Sequence, residues 1–120
     1  MNKVYIPQEP TRWDASVGAS VPMYDFSRAL RYGELVVCLP PNVSFHMTRP
    51  IVTALRERLR DFTADDYLIA VGSPVIIAIS AHIALQRTGG RLNLLSWDRR
   101  EGEYLNTVIE MPGSVAEASS

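Results

Sequence analysis

Apolar positions along this chain follow two periods. Short unbroken apolar runs, "KVYIP" at 3–7, "ELVVCL" at 34–39 and the stretch 66–71, read as buried strands. Between the last two, "TRPIVTALRERLRDF" sets Ile51, Val52, Leu55, Leu59 and Phe62 at helical spacing. Thr48 or Arg49 would start this helix just ahead of Pro50. A second helix is expected over residues 75–87, closed by Gly89 and Gly90. "RLNLLSW" returns to a strand, "DRREG" makes a tight turn with Gly102 available for a positive φ, and "EYLNTVIEM" pairs back antiparallel.

Strand, helix, strand, helix, strand predicts an α/β fold. The expected architecture is a small mixed sheet of four to five strands, with a parallel β-α-β-α-β core and a C-terminal antiparallel hairpin. The helices would pack on the sheet. One domain is expected over 1–112, with a flexible tail at 113–120. Residues 9–33, broken by Pro, Gly and Ser, read as a long irregular segment or lid. "YDFSRALRYG" within it suits one short helix, with Asp25 as N-cap and Gly33 as its stop.

The least polar stretch is "YLIAVGSPVIIAISAHIAL". Leu68 to Leu85 runs eighteen residues without a charge, the lower limit for a membrane span. Asp65 and Asp66 precede it directly, and Gly72, Ser73 and Pro74 interrupt it, so a strand followed by a helix explains the apolarity without lipid. Gly-Ser-Pro is also a poor phosphate loop, because Pro74 removes a backbone N–H where such a loop needs one. It reads as a corner: Gly72 turns, Ser73 caps and Pro74 opens the helix.

On that helix Ile77, Ala78, Ala81, Ala84 and Leu85 share one face, expected against the sheet. Val75, Ile76, Ile79 and Ile83 form a second apolar stripe, with His82 beside it. Burying four such side chains is worth about 6–12 kcal/mol at about 1.5–3 each. The stripe should therefore be covered, either by the 9–33 segment or by another subunit. Val75, Ile76, Ile79, His82 and Ile83 are the candidate interface residues.

Composition narrows the function classes. The net charge of -1 argues against a generally basic nucleic-acid binder. The lone Cys38 can form no disulfide within the chain, so no oxidising compartment is required. Arginine occurs eleven times and lysine once. That bias suits phosphate or carboxylate recognition, and it also suits a GC-rich genome. Arg49, Arg56 and Arg60 could meet phosphates, yet Glu57 and Asp61 interleave as on an ordinary solvated helix face.

Ligands of parallel α/β sheets sit at the carboxyl ends of the strands. In this reading that edge gathers Glu9, Asn42, Ser73, Asp98 and Arg99, the candidate ligand residues. Asp98 and Arg99 beside Trp97 could hold a small polar ligand; equally, Asp98 could brace a hairpin turn. His46 and His82 have no metal-site spacing. No catalytic constellation, metal site or cofactor is expected from the residue spacing.

The stretch "LRDFTADDYLIAVGSPVIIAISAHIALQRTGGRLNLLSWDRREGEYL" resembles small uncharacterised proteins encoded by tailed bacteriophages. Their pattern is Asp-Tyr-Leu, an apolar strand, Gly-x-Pro, an alanine-rich helix, Gly-Arg, and Leu-x-x-Trp-Asp-Arg before a turn. "VYIPQEP" and "YGELVVCLPP" are similar to the same group. The resemblance implies viral origin and action in the host cytoplasm, and carries over no catalytic residues. Three functional readings result. The first is a non-enzymatic phage accessory protein working by protein–protein contact or self-association. The second is a small-molecule or nucleotide-binding, Rossmann-like domain. The third is a nucleic-acid binder acting through the first helix.

Overall fold

The computed structural model describes residues 2–41, 43 and 46–111. Along the chain run β1 (Lys3–Gln8), β2 (Thr11–Asp14), β3 (Ala19–Pro22), a 3-10 helix (Ser27–Tyr32) and β4 (Glu34–Leu39). They are followed by α1 (Thr48–Arg58), β5 (Tyr67–Ile69), α2 (Pro74–Thr88), β6 (Arg91–Asp98) and β7 (Glu103–Glu110). Five strands make one sheet in the order β4-β1-β5-β6-β7. The first three junctions are parallel and β6–β7 is antiparallel, so the mixed α/β sheet with a C-terminal hairpin is as expected. The chain steps from β1 out to β4, then crosses back over β1 to reach β5 and β6. Its direction of winding reverses between β1 and β5.

Successive strand residues point to opposite faces, and here both faces are covered. Tyr5, Cys38, Leu68 and Leu92 face a core closed by Ile51 and Leu55 of α1, Leu59 and Phe62 just beyond it, and Ile76, Ile83 and Ala84 of α2. Their neighbours Val4, Ile6, Ile69 and Leu95 face the other way, under Phe26 and Ala29. That double coverage is why the strands are unbroken apolar runs rather than alternating ones. Pro7 sits inside β1, a central strand, where its missing N–H would normally break a ladder. The β1–β5 pairing involves only Val4 and Tyr5, so by Pro7 that ladder has already ended.

Three expectations are corrected. The 9–33 segment is not irregular throughout: β2 and β3 form an antiparallel hairpin in it, from Thr11↔Pro22 to Asp14↔Ala19. Its residues are mostly exposed on both faces, so no apolar alternation marked it. The short 3-10 helix after it covers the sheet face opposite α1 and α2, so the segment does not shield α2.

The first helix stops at Arg58, earlier than the apolar pattern suggested. Asp66, nearly buried, accepts hydrogen bonds from the Thr63 N–H (2.8 Å), the Thr63 hydroxyl (3.1 Å) and the Lys3 N–H (2.9 Å). Those bonds fold the chain into a turn, and Phe62 still reaches Tyr5, ring centres 5.3 Å apart.

The second apolar stripe on α2 is not left for the 9–33 segment or another subunit to cover, and of the face expected against the sheet Ala81, Ala84 and Leu85 pack on the core while Ala78 does not. Ile76 and Ile83 are fully buried in the chain's own core, and Ile79 packs against that core half-buried. Val75, Ala78 and His82 are exposed. Ile76 and Ile83 lie two turns apart on α2 and share a core with Ile51 and Leu55 of α1 and Leu68 and Leu92 of the sheet. Alanine at 78 has too little apolar area to compel burial. The helix ends as expected: Ser73 Oγ accepts from the Val75 N–H at 3.3 Å, and Gly89 closes the last turn with φ 76. No helix among the described residues is long and apolar enough to cross a membrane.

Candidate functional site

A cleft of about 890 Å³ opens at the carboxyl ends of β5 and β6, on the side of the 3-10 helix. Its floor is Ile69 to Gly72 after β5, with Ser96 and Trp97 from β6. Tyr104 and the turn residues Arg99 and Gly102 close one side. Met23, Tyr24 and Asp25, between β3 and the 3-10 helix, and Arg28 within that helix form the other. Gly72 is needed as glycine: its φ is +109, and a Cβ there would press on the Gln8 carbonyl at 3.2 Å.

Local bonds hold these walls. Arg31 donates to the Tyr104 carbonyl (3.2 Å) and pairs with Glu103 (3.3 Å), while the Tyr32 hydroxyl donates to the same carbonyl (2.9 Å). The 3-10 helix is thereby fastened to the start of β7. Asp25 accepts from the Ser27 N–H at 2.9 Å. The Ser27 backbone and hydroxyl, with Arg28 adding a smaller effect, hold the Asp25 carboxyl below the usual carboxylate range. Burial, then the charges of Asp25 and Tyr24, push the Tyr104 hydroxyl above the usual tyrosine value. Trp97 stands edge-on to Tyr104, ring centres 5.0 Å apart, yet is 48% exposed.

Two cations, Arg28 and Arg99, line the cleft. Arg12, Arg31, Arg60 and Arg91 each lie within 4.0 Å of a carboxylate. Among the described residues neither Arg28 nor Arg99 is in such an ion pair.

The sequence-derived ligand residues do not converge. Arg99 lines the cleft. Asp98 is the brace of the β6–β7 turn, accepting from the Arg100 N–H (2.9 Å) and the Glu101 N–H (3.4 Å). Ser73 is spent on its cap, Glu9 lies half-buried outside the cleft lining, and Asn42 falls outside the described residues. Tyr24, Asp25, Arg28 and Tyr104 line the cleft, and the sequence pattern marked none of them as a ligand residue. The signal that points to them is positional: "MYDFSR" lies on a connection leaving a central strand at its carboxyl end.

The other candidates separate further. Of the proposed interface set, Val75 and His82 are exposed, whereas Ile76 and Ile83 are interior. Arg49, Arg56 and Arg60 are exposed on or just after α1, and Arg60 is bound to Glu57 at 2.8 Å and to Asp61 at 3.7 Å. Burial drives the Cys38 thiol up to about 12, so it is not a nucleophile at neutral pH. Among the described residues, no three His, Cys, Asp or Glu side chains gather as a metal site would need.

Fold and cleft define a small α/β protein with a ligand-sized opening at its strand ends. The chain belongs to the Phage Pam3 gp32-like protein family, matching it over residues 2–111. It is a small phage-encoded protein, as the sequence resemblance implied. Comparison with curated proteins and with solved structures finds no match.

Proposed function

We propose that this chain is a non-enzymatic phage accessory protein that works by binding a small molecule in the cleft at the ends of β5 and β6. The observation that carries this is the placing of two arginines, Arg28 and Arg99, neither ion-paired among the described residues, in the lining of a cleft that also holds Tyr24, Trp97 and Tyr104. Its volume, about 890 Å³, is within the range of small-molecule sites, roughly 300–1,000 Å³. The cleft lies at the carboxyl ends of the parallel strands β5 and β6, the edge where open α/β sheets bind ligands. Action in the host cytoplasm fits a chain whose single thiol is buried and needs no oxidising compartment.

A thermal-shift screen over nucleotides, sugar phosphates and aromatic acids tests the reading. At least one compound should raise the melting temperature, because a ligand binding only the folded state stabilises it. Trp97→Ala should abolish that shift. A panel without effect at millimolar concentration overturns the proposal.

A second reading, contact with another protein chain, is favoured by the β2–β3 hairpin. Its strands pair with each other and pack little on any other element, and Trp13 at its surface is 66% exposed. Light scattering across a concentration series, repeated with Trp13→Ala, tests self-association through this arm. A monomer at all concentrations excludes that form of it.

A further inference from the structure

We infer that the ligand of this cleft is a small planar aromatic molecule carrying an anionic group. The inference rests on the proposed binding role of the cleft and names its chemistry. The first observation is the pair of aromatic side chains at the opening. Tyr24 is 50% exposed and Trp97 48% exposed, and both line the cleft. Trp97 meets buried Tyr104 at an interplanar angle of 69°, ring centres 5.0 Å apart, and about half of its surface stays open to the cleft and solvent. Exposed aromatic faces supply stacking surfaces for a flat ring.

The second observation is charge. The lining holds Arg28 and Arg99 against one carboxylate, Asp25. Asp25 is close enough to Arg28 to feel its charge, and it already accepts the Ser27 N–H. Arg99 comes from the opposite wall, where Asp98 turns its carboxylate to the Arg100 and Glu101 backbone instead. The uncompensated cation is therefore Arg99. A guanidinium with no carboxylate partner offers its planar fork to a phosphate or a carboxylate. Asp25, kept ionised, would repel an anion on its own wall. That places the ligand's anion toward Arg99 and leaves Asp25 to accept from a ring N–H or a hydroxyl.

Two sources share this chemistry, a nucleoside monophosphate and an aromatic carboxylic acid, and the test separates them. GMP, indole-3-acetate, guanosine and inorganic phosphate are titrated against the full chain. Calorimetry gives the affinities, and the two indole N–H signals are followed by NMR. GMP or indole-3-acetate should bind saturably and move the Trp97 signal but not that of Trp13. Guanosine and phosphate should bind at least about tenfold more weakly, the scale of one charge-assisted hydrogen bond. Arg99→Gln, at an exposed position that leaves the fold intact, should weaken the charged ligand by a similar factor, and Arg99→Lys should restore part of it. Guanosine binding as tightly as GMP, or Arg99→Gln binding unchanged, overturns the anionic class while the cleft stands. No movement of Trp97 with any of the four overturns the class and removes support for the cleft itself.

Discussion

Cys38 shows how position outweighs residue type. The thiol lies in β4, 4% exposed, against the α1 side of the sheet. Burial lifts its pKa to about 12, so it stays protonated throughout the neutral range. Iodoacetamide at pH 8 should leave the native protein unmodified and alkylate it in denaturant; rapid native alkylation would contradict this burial. The same shift sets a pH dependence. Stability linked to this thiol is intact below the ordinary cysteine value of about 8.5 and declines as pH rises toward about 12, where only the unfolded chain ionises freely. A second residue-scale contrast follows from α2. Ile83→Ala should cost about 2–5 kcal/mol as a buried truncation. His82→Ala, one position away and exposed, should stay within about 0.5 kcal/mol. Denaturant melts of the two variants would reverse this order if the stripe faced outward.

Among the elements, β5 and the β2–β3 hairpin sit at opposite ends of the stability range. β5 is three residues long, but it lies between β1 and β6 with both faces covered. The hairpin is a two-stranded ribbon, a form of marginal stability by itself, tied at its base by the Met23 N–H to the Pro10 carbonyl at 2.9 Å. Hydrogen exchange should protect the β1, β5 and β6 amides strongly and the Arg12–Val21 region weakly. Equal protection would mean that the hairpin packs on something. Legibility in the sequence followed the same division. Strands and helices with a buried face announced themselves through their apolar period, and Ser73-Pro74 and Gly89 marked the ends of α2. The hairpin buries little, so it carried no period, and the first helix ends at Arg58 ahead of a turn that Asp66 ties to Thr63, a side-chain bond that no helical periodicity encodes.

For the whole molecule, β1, β5 and β6 contribute residues to both cores, so neither layer can dissolve without exposing the other. Near-UV and far-UV circular dichroism should therefore melt together, as in a two-state domain. Separate transitions would show that the 3-10 helix layer unfolds independently. At this scale too the cleft takes shape. Tyr24 and Arg28 stand across from Trp97, Arg99 and Tyr104, residues about seventy positions later in the chain. They meet because the connection from β1 to β4 passes on one face of the sheet while α1 and α2 occupy the other.

By itself the sequence determined the order and type of the main elements, the parallel core, the closing hairpin and the corner at Gly72-Ser73-Pro74. Each of these depends on a local period or a backbone preference spanning a few residues. Only the tertiary structure decided which side of α2 turns inward, where Asp98 spends its carboxylate, and which side chains share the cleft. Those outcomes depend on competition for space and for hydrogen-bond partners between distant segments, and no short window of residues contains both competitors.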